Sequence, residues 1–300
     1  MAALVPLPTL FLSHGAGPAH ALDYGGSRFS AVDKNSASAD FLRSLPQRLE
    51  EYAPLNAIKA ILVVTAHWEE PEFAVDYQDS GPTKLVYDYY GFDRKAYAPY
   101  LTYPAPTDLR VADRAFQLLQ AAGIPAKKVN RGFDHGTFMP LLVSFPEAKI
   151  PVVQLSLKEG LDSAEHFRLG EILRPLREEG VLIIGSGSFT HSNGGMSQGP
   201  EGVRKAKEFM DHLHNALISI RSAEDYQRFK QIFLSPAETN KAFPHFDLMH
   251  SRTEHFVPLL VALAAGVNFV SEGKGAVVNT NRLYTELAAG TLALDAYLFQ

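Results

Sequence analysis

The sequence predicts an α/β fold around a mostly parallel sheet. Short apolar runs alternate along the chain with amphipathic stretches, the pattern of consecutive βαβ units. The 300 residues are 46% hydrophobic and 20% charged, an ordinary composition for a globular protein. This length suits one large α/β domain or two small ones. Because no repeat, low-complexity tract or interdomain linker stands out, we expect a single catalytic domain over residues 1–300.

The predicted strands are the apolar runs, and the predicted helices are the amphipathic stretches between them. The strands are expected at 9–13, 58–66, 150–156 and 181–185, and the helices at 40–52, 108–122, 163–179, 201–222 and 254–265. Three of the helices are followed by a glycine that could end them, namely Gly123, Gly180 and Gly266. Asp162 and Glu165 have the spacing of a capping box at the start of the third helix.

Charge and composition exclude several classes of function. The net charge is −5 and the basic residues form no block, so neither nucleic acid nor an anionic membrane is an expected partner. No apolar run reaches the eighteen or so residues of a membrane span, and no basic leader precedes the first strand, so we expect a cytoplasmic protein with a small-molecule partner. Because the chain contains no cysteine, any transition metal must be held by histidine, aspartate or glutamate.

Three histidines follow predicted strands. His14 follows the first strand, His67 follows the second, and His191 comes slightly after the fourth. In open α/β sheets the carboxyl ends of the strands surround the ligand crevice, so these side chains are expected to converge. Two more candidates are His135, in an Asp-His-Gly sequence, and His255, at the start of the last apolar helix. Convergent histidines indicate a metal site.

Five short motifs resemble, in the same order, those of the LigB-like branch of the class III extradiol ring-cleavage dioxygenases, which includes 4,5-DOPA extradiol dioxygenases of plants and bacteria. No one motif is specific, but five in order make coincidence improbable. They are Ser13-His14-Gly15, Ala66-His67-Trp68, Gly132-Phe133-Asp134-His135-Gly136, the run from Gly185 to His191, and the run from Glu254 to Leu259.

The resemblance implies a three-layer α/β/α fold with a mixed sheet and a mononuclear metal site. The site is occupied by zinc in some members, whereas ring cleavage uses iron(II), with O2 as co-substrate and a catechol opened to a muconic semialdehyde. At matching positions His14, His67 and His255 would be metal ligands. His191 would be either a fourth ligand or the acid/base residue, and His135 would support a ligand or contact the substrate and carry protons.

Several alternatives remain open at this level. Glu254 could replace His255 as ligand, since two histidines and one carboxylate are a common iron(II) site. A zinc hydrolase could use the same scaffold without oxygen, and a Memo-like protein could use it for interaction alone. The aromatic segment 77–106 could form the wall of a pocket for a flat ligand or pack over an edge of the domain. The other histidines match no motif and are expected to be structural: His20, His166, His212, His214, His245 and His250.

Overall fold

The computed structural model describes residues 6–79, 81, 83–192, 198–269 and 276–300. It has an eight-stranded mixed sheet with helices on both faces, which confirms the expected three-layer α/β/α class. The strands are β1 (Thr9–Ser13), β2 (Ala60–Glu70), β3 (Phe73–Asp76), β4 (Ala126–Val129), β5 (Val152–Lys158), β6 (Val181–Gly187), β7 (Asn268–Phe269), β8 (Ala276–Val277), β9 (Thr280–Tyr284), β10 (Leu287–Ala289), β11 (Leu292–Ala293) and β12 (Ala296–Phe299). The large sheet has the order β4-β3-β5-β2-β6-β1-β12-β9.

The four central strands of the sheet are parallel. β5 pairs with β2, β2 with β6, and β6 with β1 in parallel register, whereas β3 and β12 are antiparallel to their inner neighbours β5 and β1. All four strands predicted from apolar runs are these central ones, since parallel strands covered on both faces read as continuous apolar runs. Their carboxyl ends therefore lie at one edge of the sheet.

The helices are α1 (Ala37–Glu50), α2 (Leu109–Ala121), α3 (His135–Ser144), α4 (Ser163–Leu173), α5 (Pro200–Ile218), α6 (Ala223–Ile232), α7 (Pro236–Ala242), α8 (Phe246–Met249) and α9 (Val257–Gly266). Asp162 caps α4 by accepting from the backbone N–H of Glu165, as predicted. The third predicted helix was too long: α4 ends at Leu173, and a short 3-10 turn, Arg174–Arg177, follows it. Helix α3 was not predicted because it is apolar on nearly every face and shows no periodicity.

Side chains of the central strands alternate between two hydrophobic cores. In β2, Leu62 and Val64 face the core built with α2, α4, α5 and α9, while Ile61 and Val63 face the core built with α1 and α3. Every residue of α9 is buried. Even so, within the described ranges no helix is both long and apolar enough to cross a membrane.

Two glycines of β6 allow α9 and the turn before it to approach the sheet closely. A Cβ on Gly185 would lie 2.0 Å from the carbonyl oxygen of Pro258, and one on Gly187 would lie 2.1 Å from that of His255. The same His255 oxygen accepts a hydrogen bond of 3.0 Å from the backbone N–H of Ser188. The backbone of His255 is therefore positioned directly against the end of β6.

Replacing Gly187 with alanine is expected to disturb this contact. Because the overlap is with backbone, which cannot rotate away, we expect Gly187→Ala to lower the free energy of unfolding by about 1–3 kcal/mol. Urea unfolding would measure the change. Gly25→Ala is the control, since a Cβ there meets only a side-chain oxygen of Asp23 at 3.3 Å. Equal stability of the two variants would contradict the expectation.

His166 is a buried structural histidine whose two ring nitrogens have different partners. Nδ1 donates to the carbonyl oxygen of Asp162 at 2.7 Å, and Nε2 accepts from the backbone N–H of Lys158 at 3.3 Å. Burial lowers the pKa of His166 from its usual 6.5, so the ring stays neutral in the folded protein while the unfolded chain takes up a proton. This stabilisation is complete above pH 6.5 and is lost as the pH falls towards the folded-state pKa.

Urea unfolding at pH 8.0 and pH 5.5 tests the linkage. We expect the His166→Gln variant to lose less stability between these pH values than the unsubstituted protein does. His212→Gln, at an exposed position of α5, is the matched control and should behave as the unsubstituted protein. An unchanged pH dependence in His166→Gln would show that His166 does not contribute to it.

Candidate metal centre

Three imidazoles reach one point from three separate elements of the fold. His14 follows β1 directly, His67 lies within β2, and His255 lies in the turn that leads into α9. Nε2 of His67 is 3.0 Å from Nε2 of His14 and 3.2 Å from Nε2 of His255. Among the described residues these three form a group whose potential ligand atoms all lie within 4.8 Å of one another.

The pairing of β2 with β5 is irregular around His67. The sequence predicted that this strand ends at Ala66, but it continues to Glu70. Val64 pairs with Leu155 and Glu69 with Leu157, so β2 advances five residues while β5 advances two. Extra residues of this kind bend a strand and redirect its side chains, and they are frequent beside active sites. His67 lies in this irregular part of β2.

The Nδ1 atom of each of the three rings has an oxygen partner. Ser186 Oγ lies 3.0 Å from Nδ1 of His14 and donates its own hydrogen to the carbonyl oxygen of Gly136, so it must accept from the ring. Asp88 Oδ2 lies 3.2 Å from Nδ1 of His67, and Glu254 Oε1 lies 2.9 Å from Nδ1 of His255. In neutral His14 and His255 the proton is therefore on Nδ1 and the Nε2 lone pair is free, and the carboxylate beside Nδ1 of His67 favours the same tautomer there.

A divalent metal ion fits this donor set. Three unprotonated nitrogens facing one another at these separations would repel unless a cation lay between them. Nitrogen ligands about 2.1 Å from a shared ion lie about 3 Å apart, which matches the two measured distances. A metal-bound histidine also commonly donates its other N–H to a carboxylate or another oxygen, and each of the three rings has such an oxygen beside its Nδ1. His14, His67 and His255 could thus hold one ion and leave further positions open.

Burial keeps two of the candidate ligands, His14 and His255, neutral. Burial, followed by the neighbouring imidazoles, lowers the pKa of both His14 and His255 well below the usual 6.5. Neutral imidazole is the form that binds a metal, so these rings need lose no proton on binding near neutral pH.

Asp88 connects His67 with a fourth histidine. Asp88 Oδ1 accepts from Nδ1 of His135 at 2.9 Å and from its backbone N–H at 3.0 Å, while Oδ2 faces His67. Burial opposes the charge of Asp88, but the hydrogen bonds from His135 and His67 prevail and hold its pKa well below the usual range. His135 is the first residue of α3 and, like the ligand candidates, has an unprotonated Nε2. Its own pKa is lowered by burial and by His67.

His191 lies beside the group of three rather than within it. Its ring stacks on that of His255 with centroids 3.8 Å apart, and its Nδ1 is 3.7 Å from Glu254 Oε1. Burial lowers its pKa although Glu254 opposes the shift. The side chain of His191 is 42% exposed, whereas that of His255 is 6% exposed. The ring of His191 is thus open to solvent, whereas that of His255 is enclosed.

All five predicted histidines line one cavity of about 530 Å³. Most of its other walls come from residues 15–17, 28–32 and 289–292. None of the described residues of the aromatic segment 77–106 lines this cavity. Its rings pack behind it instead, with Tyr87 and Tyr89 against Phe138 of α3, and Tyr89 also contacts the edge of His135 with centroids 5.7 Å apart.

Sequence reasoning missed two partners of the site, Asp88 and Ser186. Asp88 is an isolated carboxylate among tyrosines, and Ser186 lies in a glycine-serine run at the end of β6. Neither local sequence contains a signal that predicts a contact with a histidine. The six histidines that match no motif do not line the cavity. His250, for example, is buried, and its Nε2 lies 3.0 Å from the carbonyl oxygen of Phe189.

Known proteins resemble this chain over almost its full length. The family model described as the catalytic LigB subunit of aromatic ring-opening dioxygenase matches residues 8–290. A 4,5-DOPA dioxygenase extradiol of Beta vulgaris is 37% identical, covering 88% of this chain and 89% of the relative. A protein of the same name from Portulaca grandiflora is 34% identical, covering 97% and 95%. Dioxygenase tasH of Hapsidospora irregularis is 33% identical, covering 86% and 78%.

A solved structure supports the fold independently. The crystal structure of an uncharacterized protein from Escherichia coli K12 superimposes with a TM-score of 0.66 and 24% identity, covering 97% of this chain and 99% of that one. The family implies a metal ion and O2, and the histidine cluster is a possible site for the metal. The chain belongs to the LigB family and is an aromatic ring-opening dioxygenase, an oxidoreductase of the extradiol type.

Proposed function

We propose that this protein is a metal-dependent dioxygenase that opens a DOPA-like catechol to a muconic semialdehyde. His14, His67 and His255 are the ligands of one divalent ion, iron(II) during turnover and zinc in much of the purified protein. The observation that carries the proposal is the convergence of three Nε2 atoms. That of His67 lies 3.0 Å from that of His14 and 3.2 Å from that of His255.

The hydrogen bond of Glu254 favours His255 over Glu254 as the third ligand. Glu254 Oε1 accepts from Nδ1 of His255, so this carboxylate orients the ring from behind while Nε2 faces the other two imidazoles. His191 stacks on His255 and, unlike it, belongs to no group with His14 and His67 among the described residues. We therefore assign His191 to proton transfer rather than to a fourth metal position.

His135 and His191 are the proton carriers of the proposed reaction. When bound, iron(II) supplies a centre at which the catechol oxygens and O2 are brought together and electrons pass between them. Because Nδ1 of His135 donates to Asp88, its Nε2 is free to accept a catechol proton. His191 is partly exposed beside the same cavity and can exchange a proton with it or with solvent. Between them they remove a proton from the catechol and return one as the ring opens.

The substrate class rests on the relatives, several of which are named 4,5-DOPA dioxygenase extradiol. A cavity of about 530 Å³ is within the usual range of small-molecule sites, about 300–1,000 Å³. A zinc hydrolase on this scaffold would need no oxygen, so a requirement for O2 distinguishes the two activities experimentally.

A cytoplasmic location stays a prediction.

Oxygen uptake tests the proposed activity directly. Protein loaded anaerobically with iron(II) is mixed with a panel of catechols that includes L-DOPA and protocatechuate. We expect oxygen consumption matched to a yellow ring-opened product, and none from zinc-loaded protein. Absence of uptake with every catechol, at confirmed iron occupancy, would overturn the proposal.

Metal content separates the ligands from the proton carriers. We expect His14→Ala and His67→Ala to lose most of the bound metal on dialysis, because each leaves only two ring ligands. His135→Ala and His191→Ala should retain metal within about twofold and lose turnover by about 10²–10⁴, the usual contribution of acid–base catalysis. Elemental analysis and oxygen uptake give the two readouts, with His212→Gln as control. Full metal loss in His135→Ala or His191→Ala would make that residue a ligand.

A further inference from the structure

One cationic side chain lies at the cavity, away from the imidazole cluster on the sheet. Among the described residues that line the cavity, Arg28 is the only lysine, arginine, aspartate or glutamate. The walls beside it are mostly small or apolar, and include Phe29, Val32 and Leu292. Consider a ligand whose polar atoms lie at the histidines and whose ring packs against these walls. Arg28 is then the charged side chain that can contact the rest of the ligand.

Aromatic packing holds Arg28 at this position. The guanidinium carbon lies 4.8 Å from the ring centroid of Phe29, a cation–π contact. Phe29 in turn packs against Tyr24 and Phe92, with centroids 5.8 and 5.2 Å away. The loop is exposed, but the arginine is supported by a cluster of three rings, which reduces the entropy lost on binding a ligand.

No carboxylate of the described residues forms an ion pair with Arg28. The acidic residue of the same loop, Asp23, pairs instead with Lys34 at 3.6 Å. Arg252, another exposed arginine near the cluster, is already paired with Glu69 and Glu254. A guanidinium stacked on an aromatic ring keeps its N–H edge available for two parallel hydrogen bonds to a carboxylate.

We propose that Arg28 is a specificity-determining residue that binds a carboxylate on the side chain of the catechol substrate. The inference rests on the proposed function, since it takes the catechol oxygens to lie at His14, His67 and His255, and it adds the chemical class of the substituent. The preferred substrates are catechols whose ring carries a short chain ending in a carboxylate. Neutral and cationic catechols of the same size lack this interaction.

A matched pair of ligands tests the charge requirement. 3-(3,4-Dihydroxyphenyl)propanoate and its methyl ester share the catechol and the chain and differ in the negative charge. In iron-loaded protein we expect kcat/KM for the acid to exceed that for the ester by about 10- to 100-fold, the usual effect of hydrogen bonds between charged groups. Arg28→Gln should lower the value for the acid by this factor and leave that for the ester within about twofold, while Arg28→Lys gives an intermediate value.

Arg94→Gln is the control, because Arg94 is also exposed and lies 5.4 Å over an aromatic ring, that of Tyr100, but does not line the cavity. It should keep the preference of the unsubstituted protein. An equal fall for acid and ester in Arg28→Gln, or no preference in the unsubstituted protein, would overturn the assignment of Arg28.

Calorimetric binding to zinc-loaded protein distinguishes failure of this proposal from failure of the proposed function. If no catechol supports oxygen uptake but the acid binds more tightly than the ester and Arg28→Gln removes the difference, the proposed function is wrong and the carboxylate site stands. If ring opening proceeds but Arg28→Gln leaves both the binding and the kinetic preference unchanged, the function stands and the carboxylate site is wrong.

Discussion

The candidate site depends on one electrostatic constraint: three imidazole lone pairs are directed at one another across about 3 Å. The constraint is imposed from behind each ring: Ser186 and Glu254 accept the Nδ1 protons of His14 and His255, and a carboxylate oxygen of Asp88 lies 3.2 Å from Nδ1 of His67. Such an arrangement is unfavourable without a cation, so the folded chain supplies the energy that holds the rings together. A metal ion held there would relieve the repulsion, and part of its binding energy would therefore stabilise the fold.

The sheet makes this convergence possible because of its parallel centre. β1, β2 and β6 end at one edge of the sheet. β1 leads into His14, β2 carries His67, and β6 carries Ser186, which accepts a hydrogen bond from the His14 ring. His255 comes from outside the sheet and is brought in by the close packing of α9 on β6. Gly185 and Gly187 have no side chains to separate the layers, and the contact of their backbone with Pro258 and His255 sets the depth at which the third imidazole lies.

Asp88 joins the candidate metal site to one of the proposed proton carriers, His135. One carboxylate contacts His67 and His135, so the orientation of a candidate ligand and that of a candidate base depend on the same group. Glu254 plays the corresponding part for His255 and lies 3.7 Å from His191. Aromatic packing of segment 77–106 supports the loop that carries Asp88, so these rings stabilise the site without lining the cavity.

The sequence by itself was enough to predict the α/β class, the four central strands and which five of the histidines line the cavity. Buried parallel strands are continuous apolar runs, and the five histidines lie in short motifs whose order identifies the family. The outer strands of the large sheet (β3, β4, β9 and β12) and the helix α3 were not predicted, because short or uniformly apolar segments carry no distinctive period.

Only the tertiary structure decided how the histidines are arranged in space. It brought Nε2 of His14, His67 and His255 together, placed Glu254 behind His255, and placed His191 and His135 beside them. It also revealed Asp88 and Arg28, which belong to no motif. Such roles depend on distances between residues far apart in the chain, and hydrogen-bond partners and cavity walls are set by packing rather than by local pattern.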